Sequence, residues 1–72
     1  MSTRDVSIRD DSIRLGQFLK LAGLAEDGAH AKELIETGDV EVNGEVEYRR
    51  GKQLRLGDVV AVDGEAARLV NQ

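Results

Sequence analysis

Cysteine is absent from this 72-residue chain, so it has no disulfide framework, no thiolate metal site and no cysteine nucleophile. A single histidine, His30, leaves only carboxylates to help it and excludes a multi-histidine metal cluster. Tryptophan is also missing, and Phe18 and Tyr48 are the sole aromatic residues, so the expected core is aliphatic. No run approaches the roughly 20 apolar residues of a membrane span. The opening MSTRDVSIRDDS mixes charges and lacks the apolar centre of a signal peptide. Repeats, low-complexity tracts and proline are absent too. These absences lead to the expectation of a cytoplasmic protein without a metal, a cofactor or a membrane partner. At this length one domain is expected, near the size at which a single core only just suffices.

What is present is charge, unevenly spread. The net charge of −4 argues against a nonspecific nucleic-acid binder, since such chains are usually basic overall. Yet Glu33 to Glu47 holds six acids and no bases, whereas Tyr48 to Leu56 holds four bases, Arg49, Arg50, Lys52 and Arg55, and no acids. A surface of that kind repels a polyanion broadly and admits it at one place, with screening over about 8 Å at physiological salt. The plain alternative is a solvated loop that happens to be basic.

Residues 1 to about 11 are polar and read as a flexible N-terminal arm, with residues 12–72 as the domain. Ser12 to Leu15 reads as a short extended lead-in, with Gly16 where the first helix starts. Leu15, Phe18, Leu19 and Ala22 fall at helical spacing, Gln17 and Lys20 turn outward, and Leu21 broadens the apolar face. Gly23 ends this helix. Asp27 is suited to cap a second one, its carboxylate accepting from unpaired backbone N–H groups. Ala31, Leu34 and Ile35 make that helix's inner stripe, with Lys32 and Glu36 opposite as an i, i+4 pair. Gly38 ends it, because glycine enters the left-handed C′ conformation without a side-chain penalty. Val40 and Val42 then alternate with Glu41 and Asn43, as in a half-buried strand. Asn43-Gly44 supplies a tight hairpin turn, and Gly57-Asp58 a second turn before Val59 to Val62. The order is helix, helix, then three or four strands. The expected core is Leu15, Phe18, Leu19, Leu24, Ala31, Leu34, Ile35, Val40, Val42, Leu54, Leu56, Val60 and Val62.

These pieces resemble the S-four RNA-binding domain, named after ribosomal small-subunit protein four, and in particular its small single-domain bacterial members. They are Arg14-Leu15, Leu21-Ala22-Gly23-Leu24, Ala31-Lys32, Gly38 through Gly44, and Gly57-Asp58-Val59-Val60, covering roughly residues 13 to 63. No single piece is specific, but their order and spacing are. The resemblance implies an α+β fold, two short helices packed on a small, mostly antiparallel sheet with a basic hairpin (the αL motif). It also implies a surface for structured RNA, ribosomal or transfer, and no catalysis. Carried over residue by residue, that surface holds Arg14, Lys32, Arg49, Arg50, Lys52 and Arg55. Three positions depart from the family's pattern: Gly16 replaces a usual aspartate, Gly28 stands where many members carry arginine, and Glu41 occupies a strand position that is often basic. They imply a narrower footprint.

Physical chemistry favours RNA over DNA, since nothing here offers a long recognition helix for a B-form major groove, whereas a compact cationic surface suits folded RNA. Tyr48 reads as a core-edge residue more readily than as a base-stacking platform, and His30 as a solvent-facing histidine near Lys32. Three other readings remain. Acidic Glu33, Glu36, Glu41, Glu45 and Glu47 suit a module that docks a basic ribosomal protein. Val42-Asn43-Gly44-Glu45 followed by Gly57-Asp58 also resembles β-grasp sulfur carriers, but the chain ends Leu69-Val70-Asn71-Gln72 and not in the diglycine their chemistry uses. An enzyme is not expected: Asp10-Asp11 and Glu26-Asp27 read as solvated loop acids, and Ser7 and Ser12 have no histidine base at suitable spacing. A monomer is expected.

Overall fold

In the computed structural model, which describes residues 3–72, the chain runs β1 (Thr3–Ile8), β2 (Ser12–Arg14), α1 (Leu15–Leu21), α2 (Gly28–Glu36), β3 (Val40–Val42), β4 (Glu45–Val46), β5 (Gln53–Arg55), β6 (Val59–Val62) and β7 (Glu65–Asn71). The main sheet has the order β1-β7-β6-β3-β4, and β2 and β5 form a separate two-stranded sheet. Among the described residues only β1 with β7 is parallel; the other pairs are antiparallel. Two helices on a mostly antiparallel sheet is the α+β arrangement expected.

In α1, Leu15, Phe18 and Leu19 are buried, and Ala22 follows them into the core just past the helix end. At about 100° per residue, Leu21 falls outside that stripe. It is 54% exposed and does not broaden the apolar face as expected. In α2 the Asp27 carboxylate accepts from the His30 backbone N–H at 2.8 Å, which is the predicted cap. Ala31, Leu34 and Ile35 form the buried stripe. Gly38 follows with φ of 78°. The Lys32–Glu36 pair does not form: the ion pairs among the described residues are Arg49–Glu47 and Arg68–Asp5.

The N-terminal segment departs from expectation. Residues 3–8 are a strand and not a loose arm, in register with β7 from Thr3 beside Ala66 to Ile8 beside Asn71. Two side-chain anchors explain this. Ile8 is buried in the core, and the Arg4 guanidinium donates to the carbonyl of Ala22 at the end of α1. A cation there meets carbonyls that the helix leaves unpaired. The arm's first two residues lie outside the described part.

One core unites the elements: Leu15, Phe18, Leu19, Leu34 and Ile35 from the helices meet Val40, Val42, Val60, Val62, Ala67 and Leu69 from the sheet. No polar or charged residue is buried among the described residues. Leu54 is fully buried as expected, but Leu56 is 39% exposed. β5 ends at Arg55, so the period-2 alternation that would have carried Leu56 inward stops one residue earlier.

Candidate nucleic-acid interface

Two turns and one crossing place the cations. Asn43 and Gly44 have φ of 53° and 87°, the positive values of a tight hairpin between β3 and β4. Beyond Val46 the last bond toward β3 runs from the Glu47 N–H to the Val40 carbonyl, 3.0 Å. The chain then leaves the sheet and crosses to the start of α1. There the Gly16 N–H donates to the Arg50 carbonyl at 3.1 Å, and the Leu15 N–H to the Lys52 carbonyl at 2.9 Å. Two unpaired donors of the first helical turn are thereby satisfied by the basic loop's own backbone. The basic residues thus sit in the connection leaving the hairpin, while the hairpin strands carry Glu41 and Glu45.

Gly16 makes this crossing possible. A Cβ there would lie 2.8 Å from Arg50 Cγ and 3.4 Å from its Cδ, so the bare glycine is the surface on which the Arg50 side chain rests. Gly16→Ala is expected to displace that side chain. Gly16 is the second residue of α1, where alanine gains less over glycine than the about 1 kcal/mol of a helix interior, so the variant should melt close to the parent while losing affinity for any polyanion held by Arg50. Thermal melting and a binding titration on the same samples check this.

Beside that contact lies a groove of ≈ 380 Å³ lined by Arg14, Gly16, Gln17, Lys20, Gly28, Ala31, Arg50 and Gly51. Three of its residues are cations and none is an acid. Two of the six predicted residues, Arg14 and Arg50, meet here. Lys20 joins them, although its outward position on α1 read only as solvation. The one signal that could have found it is the set of glycines at 16, 28 and 51: no heavy atom stands within 4 Å of a Cβ position at Gly28 or Gly51, and Gly16 is covered by Arg50. Gly28 has no heavy atom within 4 Å of where its Cβ would be, so the position where many members carry arginine is open space at the groove's rim.

The other four predicted cations are placed differently. Lys52 and Arg55 line a second recess together with Glu45, Glu47 and Asp58, where acids balance them. Its floor is tied by the Asp58 carboxylate, which accepts from the Arg55 N–H at 2.9 Å and from Asn43 Nδ2 at 3.1 Å. Lys32 is exposed on α2 and lines neither recess. Arg49 is paired with Glu47, Nε to Oε2 at 3.0 Å and Nη2 to Oε1 at 3.3 Å. The side-chain hydrogen bond from Arg49, helped by the bond from the Arg49 backbone N–H, holds the Glu47 carboxyl below the ordinary glutamate range. The same partner raises Arg49.

Two residues whose roles were open in the sequence find local ones. His30 Nδ1 accepts from the Glu26 N–H at 3.0 Å, so with the Asp27 cap the imidazole folds the α1–α2 connection onto the helix start. Tyr48 is 65% exposed, and its hydroxyl would lie 3.1 Å from a Cβ at Gly38. It rests against the turn after α2, neither in the core nor along the cationic groove.

The fold and the groove define a small module that offers a cationic recess between two helices and a loop. The chain belongs to the S4 domain family, whose pattern matches residues 6–70. It is 46% identical over 59 residues to the probable ribosome maturation protein RlbA of Bacillus subtilis, spanning 82% of this chain and 83% of that one. It is 38% identical over 58 residues to the putative RNA-binding protein YbcJ of Escherichia coli, spanning 81% and 83%. The solution structure of YbcJ, described as revealing an αL motif involved in RNA-binding, superposes with a TM-score of 0.67 at 34% identity over 97% of this chain and 87% of that one. The 30S ribosomal protein S4e of Thermoplasma acidophilum shares the fold at a TM-score of 0.63 and 23% identity, over 83% of this chain and 32% of that one. This membership leaves the sulfur-carrier reading without support. No helix among the described residues is long and apolar enough to cross a membrane.

Proposed function

We propose that this protein is a non-catalytic binder of structured RNA, ribosomal or transfer, and that it grips backbone phosphates in the groove of Arg14, Lys20 and Arg50. The observation that carries the reading is that groove's charge: three cations and no acid, in a chain whose net charge is −4. Cations that converge on a recess while the rest of the surface repels are suited to one defined grip on a polyanion. The names of the relatives, one a putative RNA-binding protein and one a probable ribosome maturation protein, support RNA and point toward the ribosome. Cytoplasmic action as a monomer accords with this role, with Lys32 and Arg55 as outlying contacts on a large RNA.

Docking on a basic ribosomal protein is the second reading. It is favoured by the acidic hairpin, where Val46, a cross-strand neighbour of Glu41, is 45% exposed. The two separate by mutation. Lys20→Glu with Arg50→Glu is expected to weaken binding to a folded RNA hairpin at least about a hundredfold, while Glu41→Lys with Glu45→Lys should strengthen it slightly. The opposite pattern in a ribosomal pull-down, with binding lost only on reversal of the two glutamates, would move the function to the hairpin.

A further inference from the structure

Glu47 holds Arg49 through both carboxylate oxygens, and its Oε2 also accepts from the Arg49 backbone N–H at 3.0 Å. This two-pronged grip on the guanidinium is the one a phosphate makes. The two partners are unequally placed. The Glu47 side chain is 15% exposed and that of Arg49 71%, so the carboxylate is the sheltered member and the cation faces water. Glu47 is also fixed by its backbone bond to Val40, at the point where the chain leaves the sheet. Arg49 immediately precedes Arg50, which lines the cationic groove. Arg49 itself lies outside the groove, so a polyanion that extends from the groove along the loop meets an arginine whose phosphate position is already filled.

We propose that Glu47 is a selectivity residue for RNA, an internal stand-in for phosphate that keeps Arg49 from contributing to weak or transient encounters. The inference rests on the RNA-binding reading of the neighbouring groove. RNA whose fold brings a second phosphate to Arg49 while the first is held at Arg50 displaces the carboxylate, because the two contacts then act together. A flexible single strand must first order its backbone to hold two phosphates at these positions and so gains less by the exchange. An exposed ion pair is weak, so Glu47 tunes discrimination and does not shut the site.

The experiment compares poly(U) with a folded RNA hairpin, using the parent, Glu47→Gln, Glu45→Gln, Arg49→Ala, the Glu47→Gln/Arg49→Ala double variant and Arg50→Glu. Glu45 is the charge control: it neighbours Glu47 on the same hairpin but belongs to no ion pair among the described residues. Glu47→Gln is expected to raise poly(U) affinity about two- to fivefold, to steepen the salt dependence by about 0.7 in log–log slope, and to narrow the preference for the hairpin. Glu45→Gln should do less, and the gain should vanish in the double variant. Equal effects of Glu47→Gln and Glu45→Gln, or a gain that survives Arg49→Ala, overturn the role of Glu47 while leaving the groove intact. Binding indifferent to Arg50→Glu overturns the RNA reading itself, and the role of Glu47 with it.

Discussion

Ile35→Ala and Leu54→Ala are each expected to lower stability by about 2–5 kcal/mol, whereas Leu56→Ala should change it by less than about 1 kcal/mol. All three side chains look like core in the sequence. Ile35 and Leu54 are at most 1% exposed and come from different layers, α2 and the small β2–β5 sheet, while Leu56 stands in a turn. Truncating a buried side chain removes its transfer free energy and leaves a cavity that a close-packed interior only partly fills. The whole domain, at 72 residues, has roughly 4–11 kcal/mol to lose. The buried pair should therefore unfold partly at room temperature or melt roughly 10–30 °C lower. Thermal melts of the three variants check this. Equal small losses from all three would mean that the β2–β5 sheet and α2 are not part of one cooperative core.

Much of that core was legible because its signals are local. The stripes of α1 and α2, the Asp27 cap, Gly38 and the Asn43-Gly44 turn each depend on residues within a few positions of one another, and each stands where its chemistry put it. The missed pieces depend on partners far along the chain. β1 reads Thr-Arg-Asp-Val-Ser-Ile, with arginine in the face that carries Val6 and Ile8. Only the carbonyl of Ala22, eighteen residues away, makes that arginine useful. β7 has one local signal, Asp63-Gly64, which with φ of 51° and 81° carries the same turn chemistry as Asn43-Gly44. Its alanines, Ala66 and Ala67, are buried but give little hydrophobic contrast.

The site divides in the same way. The density of cations from Arg49 to Arg55 was visible at once, but which of them act together was not. That follows from a backbone crossing, Gly16 against Arg50, that no spacing rule foretells. A run of like charge in sequence is separated in space when alternate members face different neighbours. Arg50 turns to the groove, Arg49 is held by Glu47, and Lys52 and Arg55 stand among acids. Lys20, thirty residues earlier, does not stand out in the sequence, because one lysine on the outer side of a helix is ordinary.

The largest functional effect should therefore come from the groove and be visible in salt. With three cations each neutralising one phosphate, the logarithm of the binding constant should fall against that of salt with a slope of about −2 on single-stranded RNA. Reversing Lys20 and Arg50 to glutamate removes two of the three contacts and adds repulsion. Each lost charge-assisted contact is worth about 1.5 kcal/mol or more, so affinity should fall at least about a hundredfold, with the slope flattened to about −0.7. The loss should be the same for unrelated sequences, because backbone contacts position an RNA without reading its bases. The pair Lys52→Glu with Arg55→Glu carries the same charge change but sits beside Glu45, Glu47 and Asp58. It should cost several-fold less, since these cations are already partly neutralised. Salt titrations of the parent and the two double variants against a single-stranded RNA and two folded RNAs of unrelated sequence decide the matter. Similar losses from both pairs would mean that net charge governs binding and the groove does not; a dominant loss from Lys52 and Arg55 would move the grip to the second recess.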